Sequence, residues 1–253
     1  MNLLAPFING PIAHRTLHNV KLGIPENSWE GLEAAISQGF AIEIDLQLSH
    51  DGIPVVFHDY KLDRVTDEVG LISDRSAAEL EKIVLKGGKK GIPRFDTFMS
   101  CVGGRVPVLI ELKDQDGALG NNPSMFENAV CKVLDNYHGA VAIMSFNPFM
   151  IKKCAKLSPN IPRGLITGIF KENEWTNVSK SRCDELTRIS EYFMSGATFI
   201  SHDHLDLNSD VVSDLKTAGA TIFCWTVRSQ SQDIEARKVA DSVTFENYLP
   251  DGL

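Results

Sequence analysis

Within residues 41–59, AIEIDLQLSHDGIPVVFHD, Glu43 and Asp45 stand two positions apart and His58 follows on the far side of a turn. Two carboxylates at i and i+2 of an extended segment point the same way and repel each other. A divalent cation between them relieves that repulsion, and oxygen donors of this kind suit Mg²⁺ or Ca²⁺. A histidine beside such a pair can carry protons near neutral pH. The stretch reads as half of a metal site with an acid–base group next to it. A solvated strand face would account for the same two acids without any metal.

The elements that must position these groups follow from the same periodicity. Glu43, Asp45 and Gln47 alternate with Ile42, Ile44, Leu46 and Leu48, so a strand over 41–48 has one polar and one aliphatic face. That fits an exposed sheet, or a barrel strand with a working interior and a helix-covered exterior. Asp51-Gly52 is a tight-turn signal, and the returning run PVVF leads His58 back toward the acids. Upstream, Ile12-Ala13-His14 predicts a short buried strand ending at His14-Arg15. Residues 25–40 predict a helix with Asn27 and Glu30 as a capping box, a stripe of Trp29, Leu32, Ile36 and Phe40, and Gly39 as its stop.

Residues 60–75 read as irregular, Ser76 and Glu79 cap a short helix, and 87–91 form a basic, glycine-rich loop, so 50–105 is expected to be an insertion. Further strands are expected over 106–113, 141–145, 163–167, 198–201, 221–227 and 242–245. Helices are expected between them over 124–137 (capped by Ser124 and Glu127), 148–157, 180–194, 209–218 and 232–238. Eight short apolar strands alternating with amphipathic helices predict an α/β fold, a parallel (β/α)8 TIM barrel, as one domain over 1–253. Too little chain follows Phe245 for an eighth outer helix. The wall there is expected to be covered by the N-terminal segment or by another subunit, which leaves a homo-oligomer open.

Composition narrows the partners. With 33 acidic and 25 basic residues the formal charge is −8, the opposite of the basic field that nucleic-acid binders present. Five cysteines without a CxxC spacing fit a reducing compartment. The beginning of the sequence lacks a basic n-region and a long apolar core, and no run approaches the ~18 apolar residues of a membrane span. A cytoplasmic protein with no nucleic-acid partner and no stable membrane anchor is expected.

In a parallel barrel, reactive groups gather at the carboxyl ends of the strands. His14, Arg15, Glu43, Asp45, His58, Glu111, Lys113 and Trp225 all fall there. Glu111 completes a trio of carboxylates with Glu43 and Asp45, while His14 and His58 can deliver and remove protons on two sides of a reacting group. Arg15 and Lys113 either hold an anionic substrate or pair with the acids. Trp225 either walls the substrate or packs in the core. Ser201-His202-Asp203-His204 has a metal-like HxH spacing, but without a second cluster it reads as a polar loop, and His18 reads as exposed.

The motifs HR (14–15), PENS (25–28), EID (43–45), DG (51–52), VVFHD (55–59) and ELK (111–113), in that order, resemble the glycerophosphodiester phosphodiesterases. Ser145-Phe146 and Trp225-Thr226-Val227 extend the resemblance more thinly. It implies a TIM-barrel hydrolase that cleaves a small phosphodiester into sn-glycerol 3-phosphate and an alcohol through a cyclic phosphate. Glu43, Asp45 and Glu111 would hold one divalent cation, His14 and His58 would form the acid–base pair, and Arg15 and Lys113 would contact the phosphate. A lysophospholipid or sugar phosphodiester, or a phosphorylated ligand bound without turnover, are the alternatives. Two features depart from the family pattern. Thr16, β-branched and stiff, replaces the usual glycine after His-Arg, so a differently shaped first loop is expected. The end, TFENYLPDGL, lacks a longer helical tail.

Overall fold

The computed structural model describes residues 3–122 and 124–250. Its strands are β1 (Ile12–Ala13), β2 (Ala41–Leu48), β3 (Pro54–Val56), β4 (Val108–Leu112), β5 (Val141–Ser145), β6 (Arg163–Thr167), β7 (Phe199–Asp203), β8 (Thr221–Val227) and β9 (Ser242–Phe245). All but β3 are parallel, and β1 bonds to both β2 and β9, which closes an eight-stranded TIM barrel. Strand β3 folds back antiparallel on β2, with Leu48 opposite Pro54 across the Asp51-Gly52 turn. Gly52 takes a φ of 77° there, a left-handed value that suits glycine.

Helices cover the outside: α1 (Ala5–Ile8), α2 (Trp29–Gln38), α3 (Ala77–Leu80), α4 (Phe95–Val102), α5 (Phe126–Leu134), α6 (Pro148–Leu157), α7 (Lys180–Thr187), α8 (Tyr192–Ser195), α9 (Asp210–Thr217) and α10 (Gln230–Ala236). The aliphatic faces of β2 (Ile42, Ile44, Leu46) and β4 (Val108, Ile110, Leu112) pack against this layer in the main core. Their polar faces therefore turn into the barrel. Residues 53–92 build a satellite core of Val55, Phe57, Leu62, Ile72, Leu80 and Ile92. Helix α4, by contrast, sends Phe95, Phe98, Met99 and Val102 into the main core, so it serves as the barrel's own helix between β2 and β4.

Several helix ends differ from expectation. Ser28, not Asn27, caps α2 by accepting from Gly31 N, because Asn27 is engaged with Asp45. Ser124 Oγ accepts from Phe126 N, and buried Glu127 meets Lys153 Nζ at 3.2 Å instead of closing a capping box. The expected helix over 180–194 is two, α7 and α8, separated by Ile189 at a φ of 51°. The Ser76–Glu79 capping box is formed.

The N-terminal segment plugs the barrel floor. Leu4, just before α1, and Phe7 within it pack on Ile12, Ala41, Leu109, Ala142, Phe199 and Phe223, the inward residues near the strand starts. Phe7 and Phe223 have ring centroids 6.3 Å apart, and Ser242 Oγ donates to Gly10 O. The segment does not replace a last outer helix, and among the described residues no helix follows β9. Instead, Phe245 lies between Phe40 and Tyr248, whose hydroxyl donates to Asp233. Residues 251–253 of the expected short tail lie outside the described residues. No helix among the described residues is long and apolar enough to cross a membrane.

Candidate active site

The register between β2 and β4 sets the centre of the site. Asp45 pairs with Glu111, and Glu43 lies two residues back on the same inward face as Asp45. Ligand atoms of Glu43, Asp45 and Glu111 all come within 4.8 Å of one another, and the three side chains are buried. Lys113 Nζ sits among them, 2.8 Å from Asp45 Oδ1 and 2.6 Å from Glu111 Oε1. Arg15 gives its backbone N–H to Glu43 Oε2 at 2.8 Å and places its Nε 3.5 Å from Asp45 Oδ2. Asn27 fixes Asp45 twice, donating to Oδ2 and accepting from the backbone N–H.

This crowding divides the acids. Burial, then the charges of Asp45 and Glu111, push the Glu43 carboxyl well above its ordinary range. Burial likewise raises Glu111 against the pull of Lys113. Burial works in the same sense on Asp45, but Lys113, His58 and Arg15 together outweigh it and hold that carboxyl well below its usual range. Glu43 Oε1 is buried without a hydrogen bond. A trio of converging carboxylates with an unsatisfied buried oxygen fits a hard divalent cation.

The two histidines flank this centre, and each leans on a carboxylate. His14, at the end of β1, has Nδ1 2.7 Å from Glu246 Oε2, and Arg228 Nε fixes Glu246 Oε1 at 2.7 Å. His58 Nδ1 is 2.6 Å from Asp59 Oδ1, and Arg64 clamps Asp59 through Nε and Nη2. Gln47 Nε2 donates to the His58 carbonyl, tying that loop to β2. With Nδ1 engaged in each ring, Nε2 is left to face a substrate. Burial lowers the His14 pKa against the opposing Glu246 hydrogen bond, so the neutral ring is favoured. Glu26 joins the two sides, accepting from Arg15 Nη1 at 3.0 Å and from both terminal nitrogens of Arg64.

His14, Arg15, Glu43, His58, Glu111, Lys113 and Trp225 line one cavity of about 180 Å³. Met144, Phe146 and Ile166 give it an apolar side, and Trp225 Nε1 donates to Ser201 O. Asp45 lies just behind Lys113 and Arg15. The structure thus brings together all eight residues singled out in the sequence. Lys113 and Arg15 also pair with the acids, and the distances support that half of the alternative directly. Glu246, Arg228, Asn27 and the Glu26–Arg64 link were not anticipated as site residues. Only the PENS motif pointed toward any of them, through Glu26 and Asn27, and nothing local marks Glu246.

The first loop passes through a left-handed conformation at Thr16, whose φ is 69°. Thr16 is buried, donates its backbone N–H to Glu43 O, and packs directly against Gly31 of α2. His202 is buried and bonded to Thr167 and Asp206, so the HxH segment is structural. His18 is largely buried, with 13% side-chain exposure, contrary to expectation.

A closed parallel barrel with acids, cations and histidines at its carboxyl-end mouth defines a TIM-barrel hydrolase. Residues 14–253 match the model of the glycerophosphoryl diester phosphodiesterase family. Bovine (Bos taurus) glycerophosphodiester phosphodiesterase 1 is 38% identical over 90% of this chain and 74% of its own. A glycerophosphodiester phosphodiesterase of Bacillus subtilis (strain 168) is 26% identical over 98% of this chain and 86% of its own. An Oleispira antarctica phosphodiesterase, solved with the product sn-glycerol-3-phosphate, superposes with a TM-score of 0.76 at 25% identity, covering 93% of this chain and 92% of its own. The chain belongs to the glycerophosphoryl diester phosphodiesterase family and is an enzyme of that class.

Proposed function

We propose that the protein hydrolyses glycerophosphodiesters to sn-glycerol 3-phosphate and an alcohol, using one divalent cation and the histidine pair His14 and His58. The observation that carries this reading is the convergence of Glu43, Asp45 and Glu111 between two histidines, each backed by its own carboxylate, at one cavity. The product bound to the Oleispira antarctica relative supports the substrate class.

Glu43, Asp45 and Glu111 would hold a cation such as Mg²⁺ or Ca²⁺, which when bound offsets negative charge on the phosphoryl oxygens. Arg15 and Lys113 supply positive charge to the same oxygens. A substrate seated here brings its own nucleophile, because the glycerol hydroxyl adjacent to the phosphorus is already tethered. One histidine takes the hydroxyl proton at Nε2 as the new O–P bond forms. The other gives its Nε2 proton to the departing alcohol oxygen as the old P–O bond breaks. A cyclic glycerol phosphate results, and water opens it with the proton transfers reversed. Glu246 and Asp59 keep both rings turned for these transfers.

Release of glycerol 3-phosphate from glycerophosphocholine is the test, with added Mg²⁺ or Ca²⁺ and after chelation. Turnover should appear with the cation and vanish with chelator. His14→Ala and His58→Ala should each lower kcat by at least about 10²-fold with the fold retained. Absence of turnover on any glycerophosphodiester, or near-full activity in either histidine variant, would end this reading.

A further inference from the structure

His14 belongs to a second cluster whose chemistry differs from that of the acid trio. Glu246 Oε2 lies 2.7 Å from His14 Nδ1 and 3.5 Å from His18 Nε2. These three ligating atoms all fall within 4.8 Å of one another. At 3.5 Å the His18 contact is too long for a strong hydrogen bond, and His18 Nε2 is buried with no other partner. Arg228 holds the other oxygen of Glu246, which leaves Oε2 to the imidazoles. His14 lines the catalytic cavity, whereas His18 and Glu246 line a separate groove of about 610 Å³ between residues 16–24, α2 and residues 245–249. An ion can therefore approach from that groove without crossing the substrate cavity.

The ligand sets of the two clusters select different ions. The acid trio offers oxygen alone, which suits Mg²⁺ or Ca²⁺, whereas two imidazole nitrogens with one carboxylate suit Zn²⁺ and its neighbours. Bonds near 2 Å require tetrahedral ligand atoms about 3.3 Å apart, so side-chain adjustments of under about 1 Å at His14 and His18 would complete three ligands. The groove leaves room for water as the fourth.

We propose that His14 Nδ1, His18 Nε2 and Glu246 Oε2 form a second cation site for a zinc-type divalent ion, and that filling it switches the enzyme off. His14 now presents Nδ1 to Glu246 and keeps Nε2 for the substrate. An ion on Nδ1 takes the lone pair there, and the proton shared with Glu246 moves through solvent to Nε2. The ring stays neutral and no net proton is lost, but Nε2 carries hydrogen and can no longer accept one. The inhibitory half rests on the acid–base reading of His14, whereas the binding half does not.

The test uses the full chain in excess Mg²⁺ and Zn²⁺ as the probe, with zinc-edge X-ray absorption to count imidazole ligands. Each variant's activity is compared with its own zinc-free rate. Zinc should bind with two imidazoles in the unaltered protein and in Glu43→Gln, which lacks one oxygen ligand of the other site. His18→Gln should raise the half-inhibitory zinc concentration at least about tenfold. Zinc bound without imidazole, or inhibition unchanged in His18→Gln, overturns the site. Zinc on His18 with undiminished turnover overturns the switch, and loss of turnover in His14→Ala under the same conditions shows that the acid–base reading itself stands.

Discussion

Glu246 and Asp59 stand in the same relation to the two histidines of the cavity, His14 and His58. Each accepts from a histidine Nδ1, and each is pinned by an arginine, Arg228 or Arg64. Replacing either carboxylate with its amide keeps the size but lets the NH2 group turn toward the ring, which favours the wrong tautomer. Glu246→Gln and Asp59→Asn are expected to lower kcat on the order of 10²-fold with little change in KM, as steady-state kinetics on glycerophosphocholine will show. The same carboxylates also link stability to pH. Hydrogen bonds from Arg64 to Glu26 and Asp59, from His58 to Asp59 and from His14 to Glu246, with the charges of these partners, outweigh burial and hold the three carboxyls below their ordinary values. Groups depressed in this way contribute stability that is complete above their unfolded values, 4.5 for glutamate and 3.8 for aspartate, and that is lost as pH falls. Arg64→Met, at a site about half exposed, should therefore lower the melting temperature at neutral pH and flatten its fall below about pH 4.5, with the two proteins converging at low pH. An acid limb as steep as that of the unaltered protein would remove Arg64 from the account.

Between elements, the contact that sets the first loop is that of Thr16 with α2. Thr16 holds a left-handed backbone that disfavours a β-branched residue, and its side chain fills the space where a Cβ on Gly31 would stand. A methyl at Gly31 would collide with Thr16 Oγ1 and come within 2.9 Å of Thr16 Cβ. Gly31→Ala should destabilise by about 1–3 kcal/mol. Thr16→Gly should be within about 1 kcal/mol of neutral, because relief of backbone strain offsets the greater freedom of the unfolded chain and the lost burial. In the double variant the alanine fits, so a chemical-denaturation cycle should show a favourable coupling of at least about 1 kcal/mol. Additive effects would mean that the two residues do not compete for that space. Since Thr16 N bonds to Glu43 O and Arg15 N to Glu43 Oε2, this helix–loop contact also steadies the acid trio.

For the molecule as a whole, α1 does what no sheet element can do: it seals the open floor of the barrel. Phe7 is fully buried against Phe223, and Leu4 and Ile8 join it below Ile12, Ala41 and Leu109. Phe7→Ala should cost about 3–5 kcal/mol, read from denaturant midpoints at unchanged slope. A cost below about 1 kcal/mol would show that the floor collapses readily and that α1 is dispensable. The catalytic mouth lies at the other end of the strands, so the residual folded enzyme should keep its KM.

The period-2 alternation of β2 and β4, the Asp51-Gly52 turn and the order of the strands were legible in the sequence, because each depends on neighbours a few residues apart. The same reading singled out Glu43, Asp45, Glu111, His14 and His58 as candidates. It misplaced the cap of α2 because Asn27 has a better partner in Asp45 than in its own helix. Only the long-range strand pairing that builds and closes the barrel decided that Asp45 stands opposite Glu111. The same closure returns Glu246 across 232 positions to His14, leaves Lys113 between two acids and puts α1 under the floor. Those outcomes depend on which buried faces find each other at long range, and no short stretch of chain carries that information.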